Sequence, residues 1–297
     1  MTTRPLRGGW GQTLKIATRG SALALAQSRW VADQLPGEHE LVTVTTSGDR
    51  GEGPDDKARW VDAVERALLD GEADLAVHSA KDVPAQLAPG TVLLGSPARE
   101  DPRDAMVLGP GGGLCHDIAE LREGARVGTA SLRRRAQLLA ARPDLEIVEL
   151  RGNVDTRLRK VAEGEVDAAV LALAGLRRLG RSDGARPLDL IPAAGQGTLA
   201  LQARVGAAEL AIADAEATAC LAAERAVVRV LGADCHSAVG AHATVGTDPS
   251  VALRLVAWVG AADGSAWVRD ELEGGDPEAL GVAVAERLLS AGARELL

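Results

Sequence analysis

Residues 75–84 read Leu75-Ala76-Val77-His78-Ser79-Ala80-Lys81-Asp82-Val83-Pro84, and the fold follows from how this stretch is read. Leu75 to Val77 is a short apolar run of the kind that forms a buried strand, and Pro84 stops the element. After it, His78, Ser79, Lys81 and Asp82 crowd four polar side chains into five positions. Ligands of open α/β sheets sit beyond the carboxyl ends of the strands. The run therefore stands where a site is expected, with Asp82 beside Lys81 at its centre. Taken alone, the stretch also suits a solvated turn with a chance charge pair. The balance is tipped further along the chain, where arginines recur at the ends of other strands: Arg133-Arg134-Arg135, then Arg151, Arg157 and Arg159, then Arg177-Arg178.

Working outward, Leu14 to Thr18 reads as a first strand and Ser21 as the N-cap of a helix from Ala22 to about Leu35. A strand feeding a capped helix offers free backbone N–H groups to an anion, and Arg19 adds charge there. Leu41 to Thr46 reads as a second strand. Ser47 to Asp56, with three glycines, a proline and several acids, reads as a mobile loop. Lys57 to Asp70 is an amphipathic helix leading into the strand at Leu75. Thr91 to Gly95 is a further strand, and Arg99 to Asp104 is a polar crossover into a second lobe. There, strands at Ala125–Thr129, Leu145–Leu150 and Val166–Leu173 alternate with helices at Leu132–Ala141, capped by Ser131, and Val154–Glu163. Gly71 to Val77 resembles Gly164 to Val170, a weak internal repeat that suits two similar α/β lobes. Ile191 to Gly197 reads as a hinge, and the strand Thr198–Ala203 returns to the first lobe. After a long alanine-rich helix to Leu231 come three alternating strands and a helix from Pro277, a small α+β domain.

Composition narrows the function. Residues of the hydrophobic class make up 46% and charged residues 25%, ordinary for a soluble globular chain. The net charge is -9, and Tyr and Phe are absent, so nucleic-acid binding by charge and stacking is not expected. An acidic chain with local arginine clusters points to a small polyanionic ligand. Cys115, Cys220 and Cys235 are odd in number and lack CxxC spacing, against a disulfide framework or a zinc site. No metal is expected. No apolar run is long enough to span a membrane, and Met1 to Gln12 lacks the apolar core of a secretory signal. A cytoplasmic location is the expectation.

At this point the motifs resemble those of the porphobilinogen deaminase family, the hydroxymethylbilane synthases. The resemblance runs from about Lys15 to Glu295. It is carried by Ile16-Ala17-Thr18-Arg19-Gly20-Ser21, by Ala76 to Pro84, and by Arg99-Glu100-Asp101-Pro102-Arg103-Asp104-Ala105. It continues in Val127-Gly128-Thr129-Ala130-Ser131-Leu132-Arg133-Arg134, in Leu150-Arg151-Gly152-Asn153-Val154-Asp155-Thr156-Arg157-Leu158, and in Pro192-Ala193-Ala194-Gly195-Gln196-Gly197.

The resemblance implies an α/β fold of two periplasmic-binding-protein-like lobes facing a cleft, plus a C-terminal α+β domain with a three-stranded antiparallel sheet. The corresponding segments are 13–98 with 193–213, 99–192, and 214–297. It implies an enzyme that joins four porphobilinogen molecules head to tail into hydroxymethylbilane, releasing ammonia each time, in tetrapyrrole biosynthesis. The chain would grow on a dipyrromethane cofactor held by a thioether to Cys235. Asp82 matches the catalytic aspartate, which would stabilise the cationic azafulvene left by ammonia, with Lys81 beside it favouring its charged form. Ser79, Lys81, Thr129, Ser131, Arg133, Arg134, Arg157 and Gln196 match cofactor-binding positions. Arg19, Ser21, Lys57, Arg151 and Arg178 are the substrate-binding candidates. Each pyrrole carries an acetate and a propionate, which suits arginine forks. A monomer is implied.

Two departures stand out. Cys235 lies in Ala233-Asp234-Cys235-His236-Ser237, where the family commonly has a Gly-Gly-Cys-Gln-Val-Pro-like loop. The loop before Lys57 is short and acidic, where the family's is usually longer and rich in glycine and lysine. Its acids are expected to repel substrate carboxylates, leaving Lys57 as the main positive charge there. The alternative function is a non-catalytic two-lobed polycarboxylate-binding protein of the same fold, which would need neither Asp82 nor Cys235.

Overall fold

The computed structural model describes residues 13–51, 58–207, 210–234, 236–246 and 253–297. β1 (Leu14–Arg19) leads to α1 (Ala22–Gln34), and the Ser21 hydroxyl accepts from the Ala24 N–H at 3.3 Å, the expected cap. β2 (His39–Val44) is followed by α2 (Ser47–Arg50), and α3 (Asp62–Leu69) by β3 (Leu75–Ser79) and β4 (Thr91–Gly95). Next come β5 (Asp104–Leu108), β6 (Arg126–Gly128), α4 (Leu132–Ala141), β7 (Glu146–Val148), α5 (Val154–Ala162), β8 (Ala168–Ala172), α6 (Leu173–Arg178) and β9 (Arg186–Leu188). β10 (Leu199–Arg204), α7 (Ala215–Leu231), β11 (Val239–Val245), β12 (Leu253–Gly260), β13 (Trp267–Gly274) and α8 (Pro277–Ser290) complete the chain.

The chain divides into two compact units, Met1–Glu100 with Thr198–Leu221, and Asp101–Gly197 with Ala222–Leu297. In the first unit the sheet order is β2-β1-β3-β10-β4. β1 runs parallel to β2 and β3, whereas β10 returns antiparallel between β3 and β4. The second unit repeats the plan as β7-β6-β8-β5-β9, with β6 parallel to β7 and β8, and β5 antiparallel to β8 and β9. It also contains the three-stranded antiparallel sheet β11-β12-β13, on which α8 packs. Mixed α/β lobes with a C-terminal antiparallel sheet are the fold class expected from sequence.

The internal repeat has a structural counterpart. β3 and β8 hold the same place in their sheets, and the aspartate just before each does the same work. Asp74 accepts from the Lys15 N–H on β1 at 3.2 Å, and Asp167 accepts from the Arg126 N–H on β6 at 2.7 Å.

Parallel strands covered on both faces must be apolar on both. Ile16, Leu75, Val77, Leu199 and Leu201 pack against Val31 of α1, and Ala17 and Ala76 against Val64 and Leu68 of α3. In the second unit Met106, Val127, Ala168 and Val170 pack with Leu138 of α4, and Ala169 with Val161 of α5. Each fully buried Leu, Ile or Val contributes about 1.5–3 kcal/mol. Ala136 of α4 meets Ala238 and Trp258, joining this lobe's core to the three-stranded sheet.

Several expectations are corrected. β5, β9 and α6 are absent from the sequence reading, which took Asp104 as the end of a crossover. Ser47–Arg50 is a helical turn because Thr46 and Asp49 form a reciprocal capping box. α3 opens at Asp62, later than the sequence suggests, after a 3-10 turn at Ala58–Trp60. The alanine-rich helix, which the sequence places from Ala207 to Leu231, starts at Ala215.

Candidate active site

Because β2, β1 and β3 are parallel and adjacent, their carboxyl ends share one edge of the first sheet. That edge carries Arg19, the last residue of β1, with Ser21 beyond it, Asp49 after β2, and Ser79, the last residue of β3, with Lys81 and Asp82 beyond it. Lys81 and Asp82 lie half-buried on a 3-10 turn, Ala80–Asp82, whose Ala80 N–H is anchored to the Thr198 carbonyl at 3.0 Å. Ser79 Oγ lies 2.9 Å from Gln27 Nε2 of α1, so the strand end is fixed from the helix side.

A buried polar network braces the opposite face. His78 Nε2 is 2.9 Å from Gln202 Oε1, and Gln202 Nε2 donates at 2.8 Å to both Glu65 Oε1 and Thr91 Oγ1. With both amide protons used, the Gln202 oxygen accepts, and His78 carries its proton on Nε2. Glu65 Oε1 also accepts from the Ala88 N–H at 3.2 Å, so the segment bearing Asp82 is tied at both ends. Burial pushes the His78 pKa down to about 4, against the opposing pull of the Gln202 bond and the Asp82 charge. His78 is therefore neutral at pH 7.

A pH dependence follows. The unfolded chain protonates His78 below about pH 6.5, whereas the folded chain resists until about pH 4. Stability from this residue is complete above pH 6.5 and falls by roughly 3 kcal/mol as the pH drops to 4. Urea melts of the wild type and His78→Asn between pH 7 and 4 should show a shallower decline for the variant. Parallel declines would contradict a buried neutral imidazole.

In the second unit the parallel strands β7, β6 and β8 again bring their carboxyl ends together. Thr129 and Ser131 follow β6, Arg151 and Asn153 follow β7, and Arg178 ends the helix after β8. Ser131 caps α4, accepting from the Arg134 N–H at 3.4 Å, and Asn153 caps α5. Gly152 turns with φ +118, and a side chain there would collide with Thr156, so only glycine suits the approach to α5.

The first turn of α4 places Arg133 and Arg134 inside the lobe. Arg133 Nη1 donates to Asp104 Oδ2 at 2.7 Å, and Arg134 Nε to Asp104 Oδ1 at 2.8 Å. Gln196 Nε2 donates to Asp104 Oδ1 at 2.9 Å and to the Pro102 carbonyl at 2.7 Å. All four side chains are buried. Burial works to raise the Asp104 pKa, but the two guanidiniums outweigh it and hold the carboxyl far below its ordinary range. Two guanidiniums and one carboxylate leave this cluster one positive charge in excess. Arg178 Nη2 donates to the Gly197 carbonyl at 2.7 Å. Arg157 is half-buried on α5, whereas Arg151 is exposed and paired with Glu149 at 2.7 Å.

Three residues of this architecture escaped the sequence reading. Asp104 ends the polar run Arg99–Asp104, which reads as a crossover, yet it opens β5. Gln202 is a polar residue in an apolar strand. Glu224 is an acid on the apolar stripe of α7; fully buried, it accepts from the Gly195 N–H at 2.6 Å and the Ala243 N–H at 2.8 Å, tying the hinge segment to β11. Cys235 and Lys57 lie outside the described residues. Cys220 is buried in α7, and Cys115 Sγ lies 3.0 Å from the Gly112 carbonyl.

The sheets and their edges define an α/β protein with two lobes of one plan, an aspartate at one strand edge and an arginine set suited to carboxylates at the other. Among the described residues no helix is long and apolar enough to cross a membrane. Two family models match the chain: porphobilinogen deaminase, dipyromethane cofactor binding domain, over residues 14–212, and porphobilinogen deaminase, C-terminal domain, over 218–290. The porphobilinogen deaminase of Roseiflexus sp. (strain RS-1) is 46% identical over 308 residues, covering 96% of this chain and 99% of that protein. The one from Brevibacillus brevis is 42% identical over 302 residues, covering 95% and 96%. A solved methionine binding protein, MetQ, superposes on 65% of this chain and 83% of its own with a TM-score of 0.40 at 17% identity. The chain belongs to the porphobilinogen deaminase family, the hydroxymethylbilane synthases of tetrapyrrole biosynthesis, whose cofactor is dipyrromethane.

The residues present suit that cofactor. A pair of pyrroles with acidic side chains asks for guanidiniums, hydroxyls and excess positive charge, and the second unit holds all three. Among the described residues Arg133 Nε is buried without a hydrogen-bond partner, a donor left over beside the Asp104 cluster.

Proposed function

We propose that Asp82 is the catalytic residue for condensing porphobilinogen and Lys81 its electrostatic partner. As ammonia leaves porphobilinogen, positive charge develops on the pyrrole, and a fixed carboxylate stabilises it. The same carboxylate accepts the proton released when the next pyrrole carbon attacks. A neutral His78 suits this role, since it adds no competing positive charge near Asp82. Arg19, Ser21, Lys57, Arg151 and Arg178 bind the acetate and propionate groups of the substrate. Ser79, Lys81, Thr129, Ser131, Arg133, Arg134, Arg157 and Gln196 hold the cofactor, which Cys235 attaches. When bound, the dipyrromethane supplies the primer for chain growth.

The observation that carries this reading is the gathering of Arg19, Ser21, Ser79, Lys81 and Asp82 at one edge of a parallel sheet. The three separate sheets support a functional division into 13–98 with 193–213, 99–192, and 214–297. We further propose that the protein works as a cytoplasmic monomer. The test is incubation with porphobilinogen. Release of one ammonia per molecule consumed, with a linear tetrapyrrole as product, is expected. Binding without ammonia release would favour the polycarboxylate-binding alternative.

A further inference from the structure

The guanidinium of Arg19 already grips a carboxylate. Its Nε donates to Asp49 Oδ2 at 3.2 Å, and its Nη2 donates to Asp49 Oδ1. The guanidinium also stacks on Trp60, 4.4 Å from the ring centroid. This bidentate, stacked arrangement is the one an arginine offers to a ligand carboxylate. Asp49 is held in turn by the Thr46 N–H at 3.1 Å and the Thr46 hydroxyl at 2.8 Å. Gly48 lets α2 lie against Trp60, because a Cβ there would collide with the ring. Burial works to raise the pKa of Asp49, but the bonds from Arg19 and Thr46 outweigh it, so the group is ionised at pH 7. Both partners keep 24% side-chain exposure, open enough for exchange. The sequence reading, by contrast, expected this acidic loop to stand apart and repel carboxylates.

We propose that Asp49 is a specificity-determining residue, an internal carboxylate that occupies Arg19 until a carboxylate of porphobilinogen displaces it. The proposal rests on Arg19 being a substrate-binding arginine. Displacement exchanges one carboxylate for another, so Arg19 is never left unpaired by the correct substrate. A pyrrole lacking the acid cannot make the exchange, because removing Asp49 from Arg19 would leave both charges unpaired. The same competition weakens binding of the correct substrate by the worth of the Arg19–Asp49 pair.

The test is steady-state kinetics on the full-length holoenzyme. Asp49→Asn keeps an amide oxygen for the Thr46 cap but loses the charge. Its KM for porphobilinogen should fall about two- to fivefold, the range expected of a partly exposed ion pair. Asp49→Ser should lower KM likewise, which guards against a folding defect in either variant. In an Arg19→Leu background, Asp49→Asn should leave KM unchanged, because there is no fork left to release. If Arg19→Leu raises KM but both Asp49 variants leave it unchanged or raise it, the proposal is overturned and the role of Arg19 stands. If Arg19→Leu has the wild-type KM, the reading of Arg19 fails and takes the proposal with it.

Discussion

Asp82→Asn is expected to lower turnover by about 100-fold to 10⁴-fold, the range of a lost acid–base or electrostatic contribution. The amide keeps the shape of the carboxylate but neither stabilises a developing cation nor accepts a proton at neutral pH. The fold should be unaffected. Asp82 is half-buried on a 3-10 turn whose ends are fixed by Thr198 and by the Gln202 network, none of which needs the carboxylate. Ammonia release measured beside thermal melting checks both halves. A variant that melts as wild type and turns over within a few-fold of it would remove Asp82 from the mechanism.

Asp104→Asn should be the most destabilising conservative change in the second unit. The side chain is fully buried and is the shared carboxylate partner of Arg133 and Arg134, so the variant leaves two guanidiniums buried without it. Breaking a buried ion pair from one side costs about 3–5 kcal/mol. Since Asp104 is held far below the ordinary carboxylate range, its contribution is complete above about pH 4 and lost as the pH falls further. Urea unfolding at pH 7 should show the full loss in the variant, and the difference between variant and wild type should shrink in acid. A loss under about 1 kcal/mol at pH 7 would mean that the two arginines do not depend on Asp104.

Much of this architecture was legible because local signals agreed with tertiary ones. Ser131 begins and the residues before Pro143 end a helix whose observed bounds, Leu132–Ala141, are those read from the sequence. Ser21 caps as expected. β5 and β9 were missed for a physical reason: β5 pairs antiparallel with β8, sixty or more residues away, and β9 has three residues, too few to show a period. Glycines 48, 51 and 53 concealed α2, although Thr46 and Asp49 carry the spacing of a capping box. In the site, residue types announced a carboxylate ligand, but spacing could not tell a solvent-facing arginine from one turned inward. Arg151 and Arg133 read alike in sequence; one is exposed on Glu149 and the other is buried on Asp104. Gln202 and Glu224 could have been flagged as polar residues on otherwise apolar faces, yet their partners are set by long-range packing.

In the proposed function this chain builds its product on a cofactor attached through Cys235. The most direct test is the intact mass of the purified protein followed by peptide mapping. The mass should exceed that of the 297-residue chain by two pyrrole units, and the addition should fall on the peptide containing Cys235. Cys220, buried in α7, and Cys115, packed against the Gly112 carbonyl, should be unmodified. An active enzyme with unmodified Cys235, or with the addition on the Cys220 peptide, would contradict the account.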